Sequence, residues 1–277
     1  MQPLAERLEH RDPRERRAAC AASVDDPAAE ALVPALGRAL GDPEKDVSRA
    51  ASDALARLSG RCAGVGPVLN AALRSDEPRR RLGAALTLAR IAPPGAKLIP
   101  PLVEALSSPD GDVRWAAARR LVEAGRLHRE VLPLLLGLAR SGEAPGLRRM
   151  AAFCVRKLAP ERPESARALL AASRDDDRHV RRAALTAMAA LLAPPTELWS
   201  RLLAVLRTDP DAVSRRIAAA TLGELAVNHR DETPDAVVPA LREARRARDP
   251  DLERIALRAL ARLGPEAARD PSAGAGA

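Results

Sequence analysis

The side chains of this chain that could bind a metal or move a proton are four histidines, three cysteines and one run of aspartates. His10, His128, His179 and His229 are dispersed over the 277 residues, and none is followed by a glutamate or paired with a second histidine at helical spacing. Cys20, Cys62 and Cys154 form no C-x-x-C and leave an odd count, so neither a zinc knuckle nor a disulfide framework is implied. A reducing compartment suits them. Asp175-Asp176-Asp177 could offer oxygens to a hard cation, but the three are consecutive in a turn and no further oxygen ligands accompany them. They read as a capping turn. No nucleophile elbow and no phosphate-binding glycine loop occurs. The residues therefore predict no enzyme, no catalytic residue, no metal site and no cofactor.

What does recur is arginine. Lys and Arg number 45 against 37 Asp and Glu, a formal charge of +8, which suits an acidic or nucleic-acid partner. An Arg, Ala and Pro excess is also what a GC-rich genome produces without selection for any ligand. Arg81, Arg114, Arg148, Arg181 and Arg215 follow one another at 33 or 34 residues. Partly buried arginines need acceptors, and Asp76, Asp110, Asp112, Asp175 and Asp209 are placed in turns to supply them. One residue further along, the helix face turns outward. There the middle of the chain carries Leu82, Leu86, Trp115 and Phe153, ringed by Arg119, Arg149 and Lys157 and continued by Arg182 and Arg216. Apolar anchors inside a charged ring suit a groove for an amphipathic or acidic peptide. The competing reading folds those side chains back between helices as extra core. The outward row Arg149, Arg182, Arg216 and Arg254 could also follow a phosphate backbone, which makes nucleic acid the second choice of partner. Aromatic interleaving along the whole row, which single-stranded binders use, is missing.

These residues are positioned by a repeat. Its clearest copy is 98–124, LIPPLVEALSSPDGDVRWAAARRLVEA, two stretches of helical periodicity separated by turn formers. Pro34, Pro67, Pro100 and Pro133 recur every 33 residues, each two residues before a leucine. Ala51, Ala84, Ala117, Ala151, Ala184, Ala218 and Ala256 occupy one equivalent place in the second stretch, where a larger side chain would push helices apart. Leu55, Leu88, Leu121, Val155, Met188, Leu222 and Leu260 follow four residues later, and a third apolar position three beyond that. Asp42-Pro43, Asp209-Pro210 and Asp249-Pro250 read as starts of second helices, and Gly60, Gly125 and Gly264 as stops. The expected fold is an all-α solenoid of about eight stacked antiparallel hairpins over 1–264. Residues 1–29 are read as its N-terminal capping unit and 265–277 as a disordered tail. Trp115 should be accessible and Trp199, in a first helix, buried. The chain begins without an apolar leader and holds no run long enough to span a membrane, so the expected location is cytoplasmic.

Across about 30–264, a proline-containing first helix, an Asp/Pro turn and then Val-Arg-x-Ala-Ala with a closing leucine, as in DVRWAAARRL, HVRRAALTAM and LRRMAAFCV, resemble the HEAT repeat. The closest variety is the short HEAT-like repeat of phycobilisome lyases. The resemblance implies an armadillo-like helical scaffold that binds a protein or peptide partner on its concave face. It also brings enzymes into view. Deoxyhypusine hydroxylase resembles the chain in its hairpins but binds iron through His-Glu dipeptides, which are missing. HEAT-like DNA glycosylases use a tryptophan and a catalytic aspartate in a basic groove, whereas Arg119 stands one turn after Trp115. A bilin lyase rests on fold alone. The preferred reading is a non-catalytic scaffold or adaptor, acidic in its partner if the ringing cations are used.

Overall fold

The computed structural model describes residues 2–269, and every regular element among them is a helix. Two compact units divide the chain, Met1–Val131 and Leu132–Ala277. In the first, α1 (Leu4–Arg7) pairs with α2 (Pro13–Ala22), α3 (Ala29–Ala39) with α4 (Lys45–Leu58), and α5 (Val65–Ala72) with α6 (Pro78–Ile91). A 3-10 turn then leads into α7 (Ile99–Ala105), the partner of α8 (Gly111–Leu127). From α9 (Val131–Ser141) the second unit continues with α10 (Pro145–Leu158), α11 (Pro163–Ala172), α12 (Arg178–Met188), α13 (Thr196–Thr208) and α14 (Ala212–Asn228). It ends with α15 (Val237–Arg245), α16 (Pro250–Leu263) and α17 (Pro265–Ala268). Those are the eight hairpins of an all-α solenoid. Within each unit the even-numbered helices of successive hairpins stack on one another.

The alanine stripe is what allows that stacking. Ala51, Ala84, Ala117, Ala151, Ala184, Ala218 and Ala256 are all fully buried, and in a close-packed interior a small side chain at that place lets neighbouring helices approach. Trp199 is buried at 2% exposure, whereas Trp115 is 48% exposed. One copy departs from the stripe. On α6, Leu88 is only partly buried and Ile91 is exposed, while Ala84, Ala85, Thr87 and Ala89 face inward. Gly83 explains the local fit: a Cβ there would stand 2.9 Å from the Leu40 carbonyl oxygen, so the missing side chain lets α6 close on the end of α3.

Helix boundaries correct three of the sequence readings. Second helices start after residues in extended backbone at Asp12, Glu44, Glu77, Asp110, Ala144, Asp177, Asp211 and Asp249. Of the three Asp-Pro pairs, only Asp249-Pro250 is a cap followed by a first-turn proline. Asp42 and Asp209 lie two residues earlier, where each accepts the backbone N–H of Glu44 or Asp211 at 2.9 Å and shapes the turn before the cap. Gly125 does not stop α8, which runs through it to Leu127, because the turn residues that end this hairpin begin only at His128. Gly264, at φ +124°, does end α16. Pro265–Ala268 form a short helix that receives the Arg242 guanidinium on the Glu266 and Ala267 carbonyls. The remainder of the expected tail, 270–277, lies outside the described residues.

Candidate functional site

Each arginine of the recurring series does one local task. Its Nη1 donates to two consecutive carbonyls, six and five residues back, at the end of the turn that precedes its own helix. Arg148 reaches Gly142 O at 2.8 Å and Glu143 O at 3.3 Å, and Arg81, Arg114, Arg181 and Arg215 repeat the pattern. These carbonyls would otherwise lack donors. In Arg148 and Arg181 the other edge of the guanidinium reaches forward to the next repeat, bidentate from Arg148 to Asp175 at 2.6 and 2.9 Å, and as an ion pair from Arg181 to Asp209 at 3.5 Å. Arg81 uses Glu104 instead. Burial pushes the Asp175 carboxyl up, but Arg148 and the Asp177 N–H outweigh it and hold it below the usual range. Arg16 belongs to this series too, on His10 O, Arg11 O and Asp42. Its signal in the sequence is its place four residues after a cap. Ser48 takes the equivalent place in the second repeat and donates to Leu40 O. The anticipated partners Asp110 and Asp112 are engaged elsewhere.

In the second unit the outward row is also used. Arg182 is bidentate to Asp211 at 2.8 and 2.6 Å, and Arg216 binds Asp249 through Nε and Nη2 and Asp251 through Nη1. Asp211 and Asp249 are caps of the following second helices, so each arginine ties its repeat to the next. Arg182, with Ser214, holds the Asp211 carboxyl far below the usual carboxylate range, and Arg216 lowers Asp249. On α10, Arg149 is half-buried and Lys157 exposed, and neither makes an ion pair among the described residues; Phe153 between them is half-buried.

The first unit is different. Its even-numbered helices leave a groove of about 840 Å³, with Leu82 and Leu86 on α6, Ser52 and Asp53 on α4, and Val113, Ala116 and Arg119 on α8 among its walls. The structure thus brings together Leu82, Leu86 and Arg119 of the expected set, while Trp115 stands outside the groove's lining. Its electrostatics have a direction. Every carboxylate on the walls is already paired: Asp42 with Arg16, Asp53 with Arg90, Glu104 with Arg81, Asp110 and Asp112 with Lys45, and Glu123 with Arg120. Arg119 forms no ion pair among the described residues, and Arg79 donates only to Pro43 O, at 3.2 Å. The groove has unmet positive charge beside an apolar patch. Lys45, Arg49 and Arg79 were not part of the expected set, because their contacts join residues that no helical period places together.

The residues that could do chemistry are occupied in structure. His128 and His229 each follow a long second helix and bond a carbonyl of the preceding repeat, Pro94 O at 3.1 Å and Leu191 O at 3.2 Å. His10 Nδ1 accepts the Asp12 N–H. Asp177 caps α12. Cys20, Cys62 and Cys154 are buried thiols, and desolvation raises Cys20 and Cys154 to about 12, too high for a thiolate at neutral pH. Among the described residues no cluster of His, Cys, Asp and Glu could hold a metal ion, and no helix is long and apolar enough to cross a membrane.

A search of curated proteins finds no match. Solved structures do match: a mutant of Kap121p, 16% identical over 94% of this chain with a TM-score of 0.62, and importin beta, 17% identical over 94% with a TM-score of 0.61. The chain spans 33% and 40% of the length of those two structures, and at such identities the likeness is one of fold. A family model for HEAT repeats matches residues 1–89 and again 65–156, more than half of the chain. With hairpins stacked through a repeated alanine and stapled by a repeated arginine, this chain belongs to the HEAT repeat family.

Proposed function

We propose that the protein is a non-catalytic scaffold or adaptor whose first unit takes an acidic, partly apolar segment of a protein partner in the groove of α4, α6 and α8. The observation that carries this reading is the imbalance on the groove walls, where all carboxylates are paired while Arg79 and Arg119 have none. A ligand carboxylate there would meet a cation without displacing an existing partner, and a ligand leucine would lie on Leu82 and Leu86. The same face of the second unit supports nucleic acid poorly, since Arg182 and Arg216 already hold Asp211 and Asp249. Arg149, Phe153 and Lys157 on α10 remain the second unit's docking candidates, to be tested separately. A reducing, cytoplasmic setting suits the three buried thiols.

An array of peptides that vary in Glu and Leu content tests the proposal. Wild-type protein should favour peptides with both, and Leu82→Glu or Arg119→Glu should lower binding at least about tenfold without changing the melting temperature. Full binding by the Leu82→Glu, Arg119→Glu double variant would sink the groove. Tighter, salt-steep binding of a single-stranded oligonucleotide would hand the face to phosphate instead.

A further inference from the structure

The groove of the first unit is crossed as well as lined. Lys45 and Arg49 stand on α4, Asp110 and Asp112 at the start of α8, and the second helix of the repeat between them is α6. Lys45 Nζ lies 2.8 Å from Asp110 and 2.7 Å from Asp112, and Arg49 Nη2 is 2.7 Å from Asp112. These bonds skip a whole repeat. In the skipped repeat the cap is Glu77, which makes no ion pair among the described residues, and the position equivalent to Arg49 is Leu82. The four charged groups therefore form a strap beside the apolar residues of α6. Asp110 is 27% exposed, but the rest of the strap is superficial, with side-chain exposures of 43% for Lys45, 53% for Arg49 and 64% for Asp112, and ion pairs so exposed hold weakly.

We infer that this strap is an exchange site: an acidic segment entering the groove takes Lys45 and Arg49 over from Asp110 and Asp112. It rests on the reading of the groove as a docking face for an acidic, apolar peptide. The two aspartates then act as a built-in competitor for the ligand, covering the cations when the groove is empty. Two cations are added to Arg79 and Arg119 when it is filled. Exchange differs from simple obstruction in its mutational signs. Removing the internal carboxylate should tighten binding, whereas removing the cations should weaken it; an obstructing strap would open, and binding tighten, in both cases. Asp112 is the carboxylate to change, because Asp110 also caps α8 through the Asp112 N–H.

The probe is a short fluorescein-labelled glutamate peptide carrying two leucines, followed by anisotropy on the full chain. Asp112→Asn should bind it about 2- to 5-fold more tightly than wild type, and Lys45→Gln with Arg49→Gln about 5-fold or more weakly. Carboxyl NMR supplies a readout independent of affinity. In the empty protein, Lys45 first and Arg49 second hold the Asp112 carboxyl below its ordinary range, and saturating peptide should return it upward. If wild type binds the peptide while Asp112→Asn binds no better and the Asp112 titration stays where it was, the exchange is overturned and the docking groove stands. If wild type does not bind the peptide, the groove reading falls and the exchange falls with it.

Discussion

Leu82 and Arg182 occupy the same position of the repeat, five residues after a cap, and lead to opposite surfaces. In the second unit, Arg182 reaches Asp211 and Arg216 reaches Asp249, so successive second helices are tied neighbour to neighbour. In the first unit Leu82 cannot do this. The cap that would receive it, Asp110, is left to Lys45, the bond skips a repeat, and a groove of about 840 Å³ remains over α6. At this slot Arg182 and Arg216 cross-link their face, whereas Leu82 leaves its face open. The bonds from Lys45 and Arg49 to Asp112 on the open face are more exposed than those of Arg182 and Arg216, and hold more weakly.

Four experiments break or sharpen this contrast. The largest effect should come from Arg148→Ala, which strands the Asp175 carboxylate, 9% exposed, and removes the donor of two turn carbonyls; a loss of about 2–4 kcal/mol in urea unfolding is expected. Next is Gly83→Ala, which sets a methyl group 2.9 Å from the Leu40 carbonyl. It should cost about 1–3 kcal/mol and change hydrogen exchange in α6 more than in α12.

Acid should distinguish the carboxylates as well. Asp175, Asp211 and Asp249 have folded pKa values depressed below the unfolded value of about 3.9, so their contribution is fully present above it and is lost as pH falls through the folded values. Stability measured downward from about pH 5 should decline, and Asp211→Asn should flatten part of that decline. A slope unchanged by Asp211→Asn would mean that the Arg182 pair contributes nothing to folding. The smallest effect on stability belongs to Leu82→Arg, within about 0.5 kcal/mol for a surface change, yet it gives the first unit the pairing of the second. Its guanidinium should compete with Lys45 for Asp110, and the glutamate and leucine peptide should no longer bind. Retained binding would show that Leu82 is not the anchor.

Much of this molecule was legible in the chain because the repeat multiplies every signal. The buried alanines, the eight hairpins, the exposed Trp115 and the buried Trp199 all follow from a 33-residue period read against the 3.6-residue turn of a helix. Arg148–Asp175 and Arg181–Asp209 follow as well, since a partly buried guanidinium needs an acceptor and the nearest turn has one. Cap positions were read two residues early at Asp42 and Asp209, because an Asp-Pro pair looks alike in sequence whether it caps a helix or shapes the turn before it.

What the period could not contain is any bond that breaks it. Lys45 with Asp110 and Asp112, and Arg49 with Asp112, join repeats two apart, and such partners are set by how the helices lie in space rather than by spacing along the chain. For the same reason the sequence could place Arg182 and Arg216 on the outward face but not show that they are spent there on Asp211 and Asp249. Local periodicity decides which way a side chain points, because that depends on one helix. Whether its charge is already met depends on distances between helices, and only the packed structure sets those.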